Sequence, residues 1–290
     1  MTRISKWLLA IRPKTLAISI APVLAGTSLA WAETSQIHWL IAFAALMGAL
    51  FIQIGTNLHN DAADFERGAD CVDRIGPARA TAQGWFTASQ VKAAAYLSFS
   101  VAFIIGIYLV WVGGWPILIL GLLSLFAGYS YTGGNKPIAY RASGELFAFL
   151  FFGLAAVLGS YYIQTLKLSL NALILAIAIG LLAAAVLLVN NYRDLETDRK
   201  VGKLTLTYYL GRNRSKMFYL ALMVSPFLLP AIAELPLPGN WFYLLALPFS
   251  LLLVYKFFTA TPGPVFNTIL ARTAQLQLFY SILISIGLLL

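Results

Sequence analysis

The chain has 290 residues, of which 60% are hydrophobic and 11% are charged. Soluble domains carry about 25% charged residues, and one soluble core cannot enclose this much apolar surface, so the composition excludes a water-soluble globular protein. The net charge is +9, and the single cysteine, Cys71, excludes an internal disulfide bond.

The predicted elements begin with an interfacial segment, residues 1–14, in which Trp7 lies among cations. It does not resemble a cleavable signal, because Arg12 and Lys14 interrupt its apolar run. Apolar stretches of about the length that crosses a bilayer follow. They are residues 15–32, 39–60, 90–112, 115–131, 144–163, 171–192, 216–235, 241–257 and 270–289. We therefore predict an all-α, polytopic membrane protein, a single domain over 1–290 with nine transmembrane helices around a central cavity.

The connections between these stretches alternate in charge. Basic residues gather in the N-terminal arm and in residues 61–89, 132–143, 193–215 and 258–269. The other connections are short, and Lys167 is their one cation. Because positively charged loops stay in the cytoplasm, we predict an inner-membrane protein whose N-terminus and basic side face the cytoplasm. No basic stripe with interleaved aromatic residues stands apart from the spans, so we expect membrane lipid as a partner and neither a nucleic-acid nor a protein partner.

Eight of the eleven acidic residues lie in two clusters on this basic side. Each cluster follows an apolar helix and starts from asparagines, in NLHNDAAD (57–64) and NNYRDLETD (190–198). If the helices continue, spacings of three and four residues place the polar side chains on one face. These faces are Asn57, Asn60, Asp61 and Asp64, and Asn190, Asn191, Asp194 and Asp198. Their similar order predicts a weak internal repeat, with two helix ends facing one another across the cavity.

Acids at membrane depth are costly, which favours a functional role. Carboxylate and amide oxygens suit Mg²⁺, and the chain has no histidine and cysteine set for zinc. Because Mg²⁺ is usually completed by substrate phosphates, two facing acid groups predict a site for two Mg²⁺ ions and a diphosphate. Cations on the same side would balance the remaining phosphate charge: Arg67, Arg74, Arg79, Lys136, Arg141, Arg193, Lys200 and Lys203.

The two acidic segments, with DCVDRIGPAR (70–79) after the first and KVGKLTL (200–206) after the second, resemble the aspartate-rich motifs of the UbiA superfamily of intramembrane aromatic prenyltransferases. RPKTL (12–16) and YTGGNKPIAYRASGE (131–145) are similar, more narrowly, to the branch that prenylates 1,4-dihydroxy-2-naphthoate in menaquinone synthesis. The resemblance covers essentially the whole chain. It implies Mg²⁺-dependent transfer of a polyprenyl group from its diphosphate to an aromatic acid, which loses carbon dioxide to give demethylmenaquinol.

The resemblance also implies site residues. Asp61, Asp64, Asp194 and Asp198 would be catalytic, and with Asn60 and Asn191 they would hold Mg²⁺. The other residues expected to bind substrate are Asn57, Arg67, Asp70, Asp73, Arg74, Arg79, Lys136, Arg141, Asn190, Arg193 and Lys203. Two positions depart from the family's pattern. Gly68 stands where many members have a further acid, with Asp70 and Asp73 nearby, and Lys136 is one residue beyond the usual lysine position.

Other functions remain open at this point. The same features fit a prenyltransferase for another acceptor, such as 4-hydroxybenzoate or 6-naphthoate, or one that transfers a phytyl group. A secondary transporter would also carry intramembrane acids and repeats, but would place the acids near mid-span, where these stretches are apolar. A CDP-alcohol phosphotransferase would need glycine directly after the first aspartate, where the chain has Ala62.

Overall fold

The structure, a computed structural model, describes residues 1–69, 75–231 and 241–290, and the ordered elements in these ranges are all helices. A short helix, α1 (Arg3–Ala10), precedes the long ones. In the first half these are α2 (Pro13–Thr34), α3 (Trp39–Glu66), α4 (Ala88–Gly113) and α5 (Trp115–Ser130). In the second half they are α6 (Gly144–Thr165), α7 (Leu170–Arg193), a short α8 (Leu195–Lys200), α9 (Leu206–Leu228), α10 (Phe242–Thr259) and α11 (Val265–Leu289).

The predicted class is confirmed, but the count of nine spans is not reproduced. Seven of the described helices are long and apolar enough to cross a membrane, namely α2, α3, α4, α6, α7, α10 and α11. Helix α5 is apolar but has 16 residues. Helix α9 lies where the span 216–235 was predicted, but its first half carries three cations and is broken at Gly211 (φ 69°, ψ 174°). The end of that predicted span falls outside the described residues.

Local signals account for several helix boundaries. Helix α4 starts with a capping box, in which the Thr87 hydroxyl accepts from the Gln90 backbone and the Gln90 side chain accepts from Thr87 N. Helices α4 and α5 are separated by Gly114, whose φ of 67° is the left-handed conformation that glycine adopts most readily. Pro13 begins α2, a position where its missing N–H costs no hydrogen bond.

Helix α7 is the most deeply buried span and packs against α2, α6, α9 and α11. It approaches α6 closely at Gly153, in a π-helical segment (Leu150–Ala155), where an added Cβ would lie 2.4 Å from the Gly180 Cα. Small residues allow such close backbone contact between membrane helices. This contact places the end of α7, with its asparagines and acids, beside the start of α6.

A cluster of polar side chains around Glu33, called here the Glu33 clasp, joins helix ends at the end of the bundle opposite the two acidic motifs. The Glu33 carboxylate, at the end of α2, accepts hydrogen bonds from Tyr161, Ser169 and Asn171. These donors lie on α6, before α7 and in the first turn of α7. The clasp therefore fixes α2 to the α6–α7 hairpin, which leaves the other end of the bundle free to hold the candidate site.

Candidate active site

A cavity of about 790 Å³ runs through the bundle, lined by α2 to α7 and α11. At the end that carries the acids its lining is polar. Its other end reaches Ile117 and Ile163, next to the turns on the opposite side, and is lined almost entirely by apolar side chains of α4, α5 and α6. One cavity thus joins a charged mouth to a long apolar interior, as predicted.

The first acidic motif presents Asn60 and Asp64 to this cavity, and an arginine bridges them. Arg79 Nη1 donates to Asn60 Oδ1 (3.1 Å), and Arg79 Nη2 donates to Asp64 Oδ2 (2.9 Å). The Tyr140 hydroxyl donates to the other oxygen, Asp64 Oδ1, at 3.2 Å. Burial and the neighbouring Asp64 carboxylate raise the pKa of Tyr140, so the phenol remains a donor at neutral pH.

The second motif repeats this arrangement. Arg193 binds both oxygens of Asp194, from Nε at 2.8 Å and from Nη2 at 2.6 Å, and Nη2 also donates to Asn190 Oδ1 at 2.9 Å. In each motif an asparagine and an aspartate four residues apart on a helix share one guanidinium group. All these residues line the cavity and both carboxylates are buried. Asn60 and Asp64 therefore correspond to Asn190 and Asp194. The internal repeat consists of this pair of side chains and the arginine that bridges them.

Asp198 completes the polar end of the cavity. Its Oδ1 accepts from Lys203 at 3.3 Å, while its buried Oδ2 has no hydrogen-bond partner among the residues that the structure describes. Burial raises the pKa of Asp198 to about 6, and Lys203 opposes that shift. Repulsion from the Asp194 and Asp64 carboxylates contributes to this rise in the pKa of Asp198, so the structure brings acids of the two motifs together.

Two residues predicted as metal ligands, Asp61 and Asn191, do not line the cavity. Both Asp61 oxygens are used by a loop, because Oδ2 accepts from Ala80 N (2.8 Å) and Oδ1 from Thr81 N (3.0 Å) and the Thr81 hydroxyl. Asn191 Nδ2 donates to the buried Glu145 at 2.9 Å. The hydrogen bonds of Asp61 therefore fix the loop at Ala80 and Thr81, and the hydrogen bond of Asn191 connects α7 to the start of α6.

Asn57 connects α3 to the N-terminal segment through hydrogen bonds. Its Nδ2 donates to Ile11 O (3.0 Å) and to Thr15 Oγ1 (3.2 Å), and the Thr15 hydroxyl donates to Arg12 O (2.9 Å). Arg12 has a φ of 56°, which is uncommon for a residue other than glycine. Asn57 also borders the cavity, as do Arg12 and Lys14 of the RPKTL segment. Those two cations were not among the predicted site residues, although the segment had been singled out by its resemblance.

Three predicted phosphate-binding cations, Arg67, Lys136 and Arg141, are exposed and lie outside the cavity lining. Arg67 donates to Thr132 O and to Gly134 O, so it supports the connection between α5 and α6. By contrast Arg79, Arg193 and Lys203 do line the cavity. Asp70, Asp73 and Arg74 were also predicted to bind substrate, and they lie outside the described residues.

Sequence reasoning did not find Tyr140, Glu145 and Asn267 as parts of this site. Asn267, in the first turn of α11, accepts from Arg193 Nη1 at 2.8 Å and donates to Ile75 O at 3.0 Å. Tyr140 and Glu145 had a signal, because both belong to the segment (131–145) that carried the resemblance. Asn267 had none, because its partners Arg193 and Ile75 are far away in the sequence.

The donor set at the mouth fits Mg²⁺ in part. It consists of carboxylate and amide oxygens. The buried Asp198 Oδ2, which no described residue contacts by a hydrogen bond, is the kind of atom that a cation satisfies. Within the described ranges, however, no three acidic, histidine or cysteine residues converge into a complete cation cage. The site therefore suits a cation that takes its remaining ligands from a substrate's phosphates.

The chain is similar to known prenyltransferases along almost all of its length. The model of the UbiA prenyltransferase family matches residues 19–263. The chain is 32% identical to the 1,4-dihydroxy-2-naphthoate octaprenyltransferase of Haemophilus influenzae, over 99% of this chain and 96% of the relative. It is 37% identical to the enzyme of that name from Escherichia coli, over 86% of this chain and 83% of the relative.

Solved structures support the same fold. A UbiA homologue from Archaeoglobus fulgidus, bound to DMAPP and Mg²⁺, has a TM-score of 0.69 and 16% identity, covering 97% of this chain and 99% of the other. With the family match over most of its length and the fold in agreement, this chain belongs to the UbiA prenyltransferase family.

Proposed function

We propose that this protein transfers a polyprenyl group from polyprenyl diphosphate to 1,4-dihydroxy-2-naphthoate. The bond between the prenyl C1 and the diphosphate oxygen breaks, a carbon–carbon bond to the ring forms, and the ring carboxylate leaves as carbon dioxide. The products are demethylmenaquinol, diphosphate and carbon dioxide. Relatives that carry this activity as their name, at 32% and 37% identity, support the choice of acceptor.

The observation that carries the proposal is the composition of the 790 Å³ cavity. Its polar end unites two arginine-bridged Asn/Asp pairs with Asp198 and Lys203, and its other end is apolar along α4, α5 and α6. A polyprenyl diphosphate has the same two parts, a highly charged head and a long apolar tail. A transporter would need a path for a polar solute past Ile117 and Ile163, and the apolar lining there disfavours one.

The residues at the mouth would bind and activate the donor. Arg79, Arg193 and Lys203 are fixed cations that can stabilise the charge which develops on the departing diphosphate. A Mg²⁺ ion held through Asp64, Asp194, Asp198, Asn60 and Asn190 would add Lewis-acid stabilisation of that leaving group. The rings of Tyr131, Phe147 and Phe151 line the cavity and present aromatic faces that stabilise an allylic cation. The apolar walls exclude water, which would otherwise capture this cation.

The acceptor brings a carboxylate and would be attracted to the same basic mouth. Arg12 and Lys14 supply cations to the lining from α2 and the residue before it, separate from the two arginine-bridged pairs. We place the protein in the cytoplasmic (inner) membrane with the acidic motifs facing the cytoplasm, where both charged substrates reach the mouth from solution or from the lipid surface.

The test is an assay in membranes that contain this protein and no endogenous activity. We expect demethylmenaquinol from 1,4-dihydroxy-2-naphthoate and an all-trans polyprenyl diphosphate with Mg²⁺, and none with EDTA. Product from 4-hydroxybenzoate or 6-naphthoate instead would replace the acceptor and keep the reaction class. No product with any aromatic acid from well-expressed protein would reject prenyl transfer.

A further inference from the structure

Arg193 is held at four points, and one of them comes from outside the acidic motifs. Its guanidinium binds Asp194 and Asn190 on α7, and Nη1 donates to Asn267 Oδ1 on α11 at 2.8 Å. Arg193 is 3% exposed, so its guanidinium depends largely on protein acceptors. Asp194 accepts from Nε and Nη2, and Asn267 accepts from the remaining nitrogen, Nη1.

Asn267 is itself fixed from two directions. Its backbone N–H donates to Pro264 O (3.0 Å) in the first turn of α11, and its side-chain Nδ2 donates to Ile75 O (3.0 Å). Ile75 lies in the connection that returns from the first acidic motif, four residues before Arg79. A single amide thus touches the arginine of the second motif and the segment that delivers the arginine of the first.

We propose that Asn267 is a positioning residue, which holds Arg193 in the orientation that binds the diphosphate end of the prenyl donor. This inference rests on the proposed function and deepens it, because it assigns a role to α11 in donor recognition. Asn267 would act through Arg193: without Oδ1, Nη1 loses an acceptor, and the guanidinium can turn away from the cavity. Binding of the aromatic acceptor would be unaffected.

The test uses purified, detergent-solubilised protein and measures the rise in melting temperature caused by geranyl diphosphate with Mg²⁺. We expect Asn267→Ala to weaken the apparent donor affinity about 10-fold, as expected for a lost hydrogen bond to a charged group. Asn267→Asp keeps an oxygen toward Arg193 but loses the donor to Ile75 O, so it should bind the donor substrate clearly more tightly than Asn267→Ala does. In the membrane assay, Asn267→Ala should raise KM for the donor and leave KM for the acceptor unchanged.

Thr273→Val is the matched control, because it removes a buried hydrogen bond from the same helix (Thr273 Oγ1 to Tyr219 Oη, 2.8 Å) away from the cavity. It should lower the ligand-free melting temperature and keep the full response to the donor. If Asn267→Ala only lowers that melting temperature, as this control does, the positioning role is wrong. It is also wrong if Asn267→Asp binds as weakly as Asn267→Ala.

A double-mutant cycle tests the route through Arg193. In an Arg193→Lys background the amine cannot make the same set of contacts, so adding Asn267→Ala should weaken donor binding by less than about 2-fold further. Additive losses would contradict the inference. A wild-type protein that gives no response to the donor would reject the proposed function and the positioning role together, whereas equal responses from wild type and Asn267→Ala would reject the role alone.

Discussion

Asp61 and Asp64 are neighbours on the last turns of α3, yet their carboxylates serve different surroundings. Asp61 accepts from the backbone of Ala80 and Thr81, whereas Asp64 faces the cavity between Arg79 and Tyr140. We expect Asp64→Asn to reduce turnover by at least about 100-fold, because it removes charge from the reacting end. It should also lower the melting temperature, because it breaks the buried ion pair between Asp64 and Arg79. The measurement pairs initial rates in membranes with the melting temperature of the purified variant.

Asp61→Asn is the matched comparison. It replaces one accepting oxygen with an NH₂ group that faces the loop's own donors, so the expected effect is a loss of stability of about 1–3 kcal/mol. An Asp61→Asn protein that melts like wild type but has lost its activity would show that Asp61 is a direct metal ligand, as the family motif implies.

A comparison of two lysines tests whether the cavity lining or the exposed surface binds the diphosphate. Lys203 lines the cavity and contacts Asp198, whereas Lys136 is exposed outside the lining. We expect Lys203→Ala to raise KM for the prenyl diphosphate about 10-fold and Lys136→Ala to change it less than about 2-fold. Kinetics with varied donor and saturating acceptor check this, and a reversed order would restore Lys136 as the diphosphate-binding lysine.

Residue spacing could predict that Asn60, Asp64, Asn190 and Asp194 share similar helical faces, because the period of a helix is known. It could not predict that Asp61 and Asn191 turn away, since their partners, Thr81 and Glu145, are chosen by tertiary packing. Asn267 shows the limit most clearly. It is 74 residues from Arg193 and 192 residues from Ile75, and nothing in its local sequence marks it.

At the scale of elements, the contact between α6 and α7 sets how the acidic end of α7 meets the cavity. A Cβ on Gly153 would lie 2.4 Å from Gly180 Cα and 2.7 Å from Ala176 O, both backbone atoms that cannot move aside alone. We expect Gly153→Ala to destabilise the protein by about 1–3 kcal/mol, seen as a lower melting temperature in detergent.

The control for this prediction is Gly106→Ala on α4. Apart from the backbone of α4 itself, no described atom lies within 4 Å of its added Cβ, so the substitution should be tolerated or slightly stabilising in a helix. Equal melting temperatures for Gly153→Ala and Gly106→Ala would show that the two backbones are not in close contact.

The lengths of the apolar stretches predicted most of the helices, because bilayer thickness sets the length of a membrane-spanning helix. The exceptions have local causes. The cations and the break at Gly211 explain why α9 does not qualify as a span by hydropathy. Helix α5 lies where the stretch 115–131 was predicted, but its 16 residues make it shorter than the seven helices that qualify. The π-helical segment of α6, which contains Gly153, had no signal in the composition.

At the scale of the whole molecule, the basic loops and the candidate active site lie at the same end of the helix bundle. The arginine-bridged pairs, Asp198 and the RPKTL cations surround the mouth of the cavity, and the Glu33 clasp closes the other end of the bundle. The loop charges that predict orientation are therefore partly the charges that would bind substrates. A net charge of +9 serves both purposes at once, because each cation near the mouth lies on the basic side.

Orientation in the membrane is tested by labelling from one side. In a Cys71→Ser background, Ser35→Cys marks the turn between α2 and α3, and Lys136→Cys marks the connection between α5 and α6; both positions are exposed. With the N-terminus in the cytoplasm, a membrane-impermeant maleimide should label Ser35→Cys in intact spheroplasts and Lys136→Cys only after lysis. Lys167→Cys, in the turn before α7, should behave as Ser35→Cys does. Labelling of Lys136→Cys alone in intact cells would place the acidic motifs outside, and the charged substrates would then have to reach the mouth from the opposite side.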